Sequence, residues 1–169
     1  MKFLFFFCLF FSIVTTTITA QQYAHCNFGE VLSSMKETTV AEKSLKTYNE
    51  QLVKEGENRA AELQGRIKAY GEKQKAGTMT PQEAQRQEAI LVADRDKLYA
   101  YEQEVAQKTD NKRQELLAPV INRANEVIEA IAKERGYQLV FDTSIFNAVV
   151  YADETIDIIA EVKKRLGIE

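Results

Sequence analysis

The sequence predicts an α+β chain, mostly α, in which a small β body carries a long projecting antiparallel helical hairpin. Three observations predict it. The stretch AGTMTPQEAQ, residues 76–85, breaks a long charged helical pattern once, after which the pattern resumes. The flanking segments, about 37–76 and 81–116, are rich in Glu, Lys, Gln and Ala, with sparse apolar residues at helical spacing. After Leu116 the composition turns apolar and includes short strand-like runs. The break reads as a turn. Gly77 can end one helix in a left-handed conformation. Thr80 can cap the next, with Pro81 at its first position and Glu83 completing a capping box. Helices joined by so short a turn run antiparallel. At forty residues each is ~60 Å long, far more than a small body can cover, so the hairpin must project.

The elements follow in chain order. MKFLFFFCLFFSIVTTTITA has one early base, an uncharged apolar run and a small final residue, the layout of a signal peptide cleaved after Ala20. The apolar run from Phe3 to Val14 is short for a bilayer span. Cleavage leaves 149 of the 169 residues, one domain's worth, with 21 basic and 25 acidic side chains, a net −4. A nucleic-acid partner would call for a basic excess instead. Only Cys26 is left as a cysteine, so no disulfide can close within the chain despite export to an oxidising compartment.

Residues 22–28, QYAHCNF, alternate as a first strand, with Ala24, Cys26 and Phe28 on one face and Tyr23, His25 and Asn27 on the other. A short helix over 29–35 follows. The first arm helix offers Leu45, Tyr48, Leu52, Leu63, Ile67 and Tyr70 to the hairpin seam, and the second offers Ile90 or Leu91, Leu98, Tyr101 and Val105. Leu91, Leu98 and Val105 step by seven, as in a coiled coil. The seam is nevertheless poor. Glu55, Arg59, Asp94, Lys108 and Lys112 fall at or beside seam positions, and Gly56, Gly65 and Gly71 each weaken a helix interior by up to ~1 kcal/mol relative to Ala.

Pro119 lacks the N–H a helix interior needs and should kink or break the second arm helix. Beyond it, Val120, Ile121, Ala124, Val127, Ile128 and Ile131 form a wide apolar stripe, ended by Lys133, Arg135 and the terminator Gly136. Residues 137–142 and 148–152 read as a second and a third strand, apolar on both faces. A last helix starts between Glu154 and Ile158, with Asp153 and Asp157 both candidate caps, and buries Ile159, Val162 and Leu166. About three strands are too few to close a sheet and leave unpaired edges, so the body needs a partner.

Charge is distributed unevenly. Residues 65–90 hold Arg66, Lys68, Lys73, Lys75 and Arg86 against Glu72, Glu83 and Glu88, a net +2, whereas residues 141–161 hold five acids and no base. His25, the only histidine, has no second metal ligand at suitable spacing, since the adjacent Cys26 points to the other strand face. Cys26 reads as a small buried strand residue. Asp153, Glu154 and Asp157 read as caps and dipole partners rather than paired catalytic carboxylates. No phosphate loop, serine-nucleophile motif or dinucleotide fingerprint occurs. The sequence thus offers no active site and calls for no cofactor, which points away from an enzyme.

The signal segment, the opening YAHCNFGEVLSSM, the segment APVINRANEVIEAIAKERGYQLVFD and the ending VVYADETIDIIAEVKKRLGI together resemble the Skp/OmpH family of periplasmic holdase chaperones. The most specific part is residues 118–142, where a proline, an apolar helix and a Glu-x-Gly-Tyr entry into a strand follow one another. The resemblance implies a periplasmic homotrimer whose body, residues 21–36 and 117–169, is a shared sheet assembly. Three arms, residues 37–116 with tips near 77–80, would enclose a cavity. Unfolded outer-membrane proteins would be held there without ATP. The arm residues available to touch such clients are Tyr48, Leu52, Leu63, Ile67, Tyr70, Met79 and Leu98. The family's best-known members are strongly basic and this chain is acidic overall, so attraction of its mildly basic tips to anionic lipid or lipopolysaccharide should be weaker. The alternative is an envelope coiled-coil adaptor docking on one fixed partner. A regular, well-filled seam and a conspicuous tip patch would favour that reading.

Overall fold

The computed structural model describes residues 22–168, so the expected signal segment, residues 1–20, lies outside the described residues. Strand β1, Tyr23–Cys26, leads into the short helix α1, Phe28–Ser34. The arm consists of α2, Lys36–Lys75, and α3, Pro81–Arg135. Strand β2, Leu139–Asp142, a single 3-10 turn, Glu154–Ile156, and helix α4, Ile159–Leu166, complete the chain.

The first strand is shorter than its alternation suggested because Asn27 leaves it to cap α1, accepting a 2.9 Å hydrogen bond from the Glu30 N–H. The arm turn forms as its residues dictate. Gly77 takes φ 64°, and the Thr80 and Glu83 side chains each bond the other residue's backbone N–H. Gly136, at φ 71°, stops α3.

Strands β1 and β2 pair in parallel, with Tyr23 opposite Leu139 and Cys26 opposite Asp142. Parallel neighbours need a crossover connection, and here the whole hairpin is that crossover. The base of α3 returns along the sheet and lays Val120, Ala124 and Ile131 on it. Together with Ala24, Cys26, Val31, Met35, Ile158, Val162 and Leu166 these make the buried core. Polar contacts hold α4 against this core: Arg165 bonds Glu134, Lys163 bonds Glu30 at 2.6 Å, and Arg123 donates to the Leu166 carbonyl at 3.3 Å.

Three expectations need correction. Pro119 does not break α3, which is one continuous helix of 55 residues. Its ring costs one hydrogen bond, but the arm on one side and the packed stripe on the other hold both halves helical. Residues 148–152 form no strand. Both edges of β1 are taken, by β2 on one side and on the other by Asp157 and the 3.0 Å bond from the Ile158 N–H to the His25 carbonyl. The chain offers this doubly apolar segment no second layer. In α4, Ile158 rather than Ile159 is the more buried residue. Both candidate caps act: Asp153 caps the 3-10 turn through the Thr155 N–H, and Asp157 accepts from the Ile159 N–H at 2.8 Å.

Candidate functional site

The hairpin is held by widely spaced polar ties rather than a continuous zipper. Near its base, Thr109 donates to the Asn49 side chain at 3.2 Å. Midway, the Tyr101 hydroxyl donates to the Leu52 carbonyl at 2.9 Å. Tyr101 is only 4% exposed, its ring lies against Gly56, and the Arg59 guanidinium sits 4.1 Å above it. Toward the tip, Arg66 reaches across to Asp94 at 2.6 Å. Of the polar residues that spoil the seam in sequence, Asp94 supplies one of these ties and Arg59 covers the Tyr101 ring, whereas Glu55, Lys108 and Lys112 pair within their own helices. Nothing in periodicity reveals such pairing, because it depends on which residues the turn brings opposite one another.

The two faces of the hairpin differ. One is lined by Glu55, Arg59, Glu62, Arg66, Asp94 and Lys97, whose charges are closed into ion pairs. The other carries an open groove of about 350 Å³ whose apolar floor includes Val53, Gly56, Ala60, Leu98 and Val105. Of the sequence-predicted contact residues, Leu63 is buried in the seam, while Tyr48, Leu52, Tyr70, Met79 and Leu98 are half-buried. Ile67 is 50% exposed. The groove brings Leu52 and Leu98 together, and Leu63 and Leu98 line the ion-paired face. Val53, Val92 and Tyr99 are exposed apolar residues that the sequence did not single out. Their seven-residue offset from one another or from neighbouring small residues (Val92 to Tyr99, Val53 to Ala60) was the available signal.

At the tip, Arg66 is not a free charge, since Glu62 and Asp94 both pair with it from outside the 65–90 window. Lys68, Lys73, Lys75 and Arg86 make no ion pair among the described residues, so they carry the tip's positive character.

In the body, His25 on β1 is buried. Its Nε2 lies 3.0 Å from the Asp153 carbonyl and its Nδ1 is buried without a partner. Cys26 is buried, and desolvation, followed by the charges of Asp157, Asp142 and Glu30, pushes its thiol up to about 11, which suppresses thiolate chemistry. No group of three or more potential metal ligands occurs among the described residues. No described helix is long and apolar enough to cross a membrane. The outer side of the body is unfinished: Phe146, Val150 and Tyr151 are 91%, 96% and 82% exposed, and Leu139 and Phe141 on β2 are about half exposed.

Comparison with solved structures places the fold beside the crystal structure of an OmpH-like protein from Caulobacter crescentus CB15. The TM-score is 0.70 at 20% identity, covering 87% of this chain and 84% of that one. None of the curated proteins matches the chain. The family described as outer membrane protein (OmpH-like) matches residues 22–166, from the first strand through the last helix. With that match spanning both the body and the arm, the chain belongs to the OmpH-like outer membrane protein family.

Proposed function

We propose that the chain is an ATP-independent holdase chaperone of the periplasm, which as a homotrimer holds unfolded outer-membrane β-barrel proteins between its arms and prevents their aggregation. Family membership and the provisional description of the Caulobacter crescentus neighbour as an outer membrane chaperone support the chaperone reading. The observation that carries it is the arm: along the hairpin the two long helices bury Ala41, Leu63 and Tyr101 but leave most of their other apolar residues half-buried or exposed, several of them along a groove, instead of sealing them into a seam. Such a surface offers many weak apolar contacts and no single shaped pocket, which suits clients without fixed structure. An adaptor for one fixed partner would need a filled seam and a dense apolar patch at the tip.

Assembly follows from the body. Exposed Phe146, Val150 and Tyr151, together with the free edge of β2, present apolar surface and unpaired backbone that water should not face, and other copies of the chain can cover them. Lys68, Lys73, Lys75 and Arg86 give the tips a weak attraction to anionic lipid or lipopolysaccharide.

The test is the mass in solution of the chain from Gln21 onward, alone and mixed with a urea-denatured outer-membrane barrel protein. A trimer that gains one client and suppresses its aggregation is the expected result. A trimer that leaves aggregation unchanged would move the assignment to an adaptor. A stable monomer would overturn the assembly.

A further inference from the structure

We infer that the groove beside Gly56 is a subsite for an extended polypeptide segment carrying a large apolar side chain next to a lysine or arginine. This rests on the chaperone reading above and gives it a side and a sequence preference.

Charge separates the two faces of the hairpin. On the ion-paired face, Glu55 meets Arg59 at 2.9 Å, Glu62 meets Arg66 at 3.3 Å, and Asp94 meets both Arg66 and Lys97. Further along α3, Glu104 meets Lys108 at 2.9 Å. These carboxylates already have cationic partners, so this face offers an incoming chain little. The groove is the opposite case. It is rimmed by Glu57 on α2 and Glu102 on α3, both exposed, and no base lines it. Neither glutamate forms an ion pair among the described residues.

An apolar floor between two open carboxylates selects for complementary chemistry. A large aliphatic or aromatic side chain gains by leaving water for the floor of Val53, Ala60, Leu98 and Val105. A neighbouring lysine or arginine can lay its methylene stem along the same apolar surface while its charged head meets Glu57 or Glu102. An acidic neighbour would be repelled by both. Gly56 opens the floor, and the Tyr101 ring against it closes the back of the groove. The volume of about 350 Å³ accepts one large side chain with adjoining backbone rather than a folded surface.

Two labelled, unstructured peptides test this, each with two phenylalanines, flanked by lysine in one and by glutamate in its twin. Binding is read by fluorescence anisotropy on the chain from Gln21, wild type and E57Q/E102Q. The wild type should bind the lysine peptide roughly fivefold more tightly than its twin, as expected for two exposed charge contacts, and E57Q/E102Q should abolish that preference. A V53S substitution should weaken both peptides alike. Equal binding of the twins by the wild type, or a preference that survives E57Q/E102Q, would overturn the subsite. So would a change in oligomeric mass in E57Q/E102Q, which would make the groove an interface between copies. Aggregation of a urea-denatured barrel protein is followed in parallel. If the wild type suppresses it while the twins bind alike, only the subsite falls. If the wild type does not suppress it, the chaperone reading falls and the assignment of the groove goes with it.

Discussion

Cys26 shows how much a single position depends on its surroundings. In an exposed strand it would be an ordinary thiol. Here it is buried at the centre of the body, and desolvation, then Asp157, Asp142 and Glu30, raise it from 9.0 to about 11. The folded chain keeps a proton that the unfolded chain releases. The associated stability is therefore complete below about pH 9 and declines as pH rises toward 11, by at most about 1.4 kcal/mol per pH unit. Urea midpoints of the wild type and Cys26→Ala, compared at pH ~8 and ~10, should show the wild type losing ground to the variant at the higher pH. Parallel losses in both would mean that the thiol does not couple to folding. His25 makes the same point structurally. Its alternation places it outward, but the Asp153–Ile158 segment returns beside β1 and buries it.

At the scale of the element, the hairpin has three helix-interior glycines that sequence alone treats alike. The structure separates them. A Cβ at Gly65 or Gly71 would meet nothing within 4 Å, whereas one at Gly56 would lie 3.3 Å from Cε1 of Tyr101. That ring cannot easily give way, since its hydroxyl is tied to the Leu52 carbonyl and Arg59 covers it. Gly65→Ala and Gly71→Ala should each stabilise the arm by up to ~1 kcal/mol, seen as slower amide exchange around the substituted position. Gly56→Ala should yield no such gain, because crowding against Tyr101 offsets the improved propensity. Equal slowing by all three would show that the Tyr101 contact is not a constraint. The stiffened variants also probe function: if the arms must splay around clients of different size, G65A/G71A should hold large barrel proteins less well than small ones.

For the whole molecule, the described residues of one chain's body hold two strands and an apolar outer side. If other copies cover that side, as proposed, removing it chemically should dissolve the trimer without unfolding the core, because neither Val150 nor Tyr151 belongs to the buried cluster. V150D/Y151S should shift the mass of the chain from trimer toward monomer while leaving its helix content unchanged. An unaltered mass would place the contact between copies elsewhere.

Sequence by itself determined the features that depend on near neighbours in the chain. The turn at Gly77–Thr80, the cap at Thr80 and Glu83, the stop at Gly136 and the apolar stripe from Val120 to Ile131 all appear where local stereochemistry and periodicity put them. Family membership was legible outside the hairpin, in the opening YAHCNFGEVLSSM, in residues 118–142 and in the ending VVYADETIDIIAEVKKRLGI. What only the tertiary structure decided involves residues far apart in sequence. It paired β1 with β2 in parallel, carried α3 through Pro119, and denied residues 148–152 a strand partner within the chain. It also sorted the arm's charges, closing Arg66 against Asp94 and leaving Glu57 and Glu102 open beside the groove. Periodicity places a residue on a face of its own helix. Which residue stands opposite it, and whether a charge there is matched, depends on how the turn sets one helix against the other.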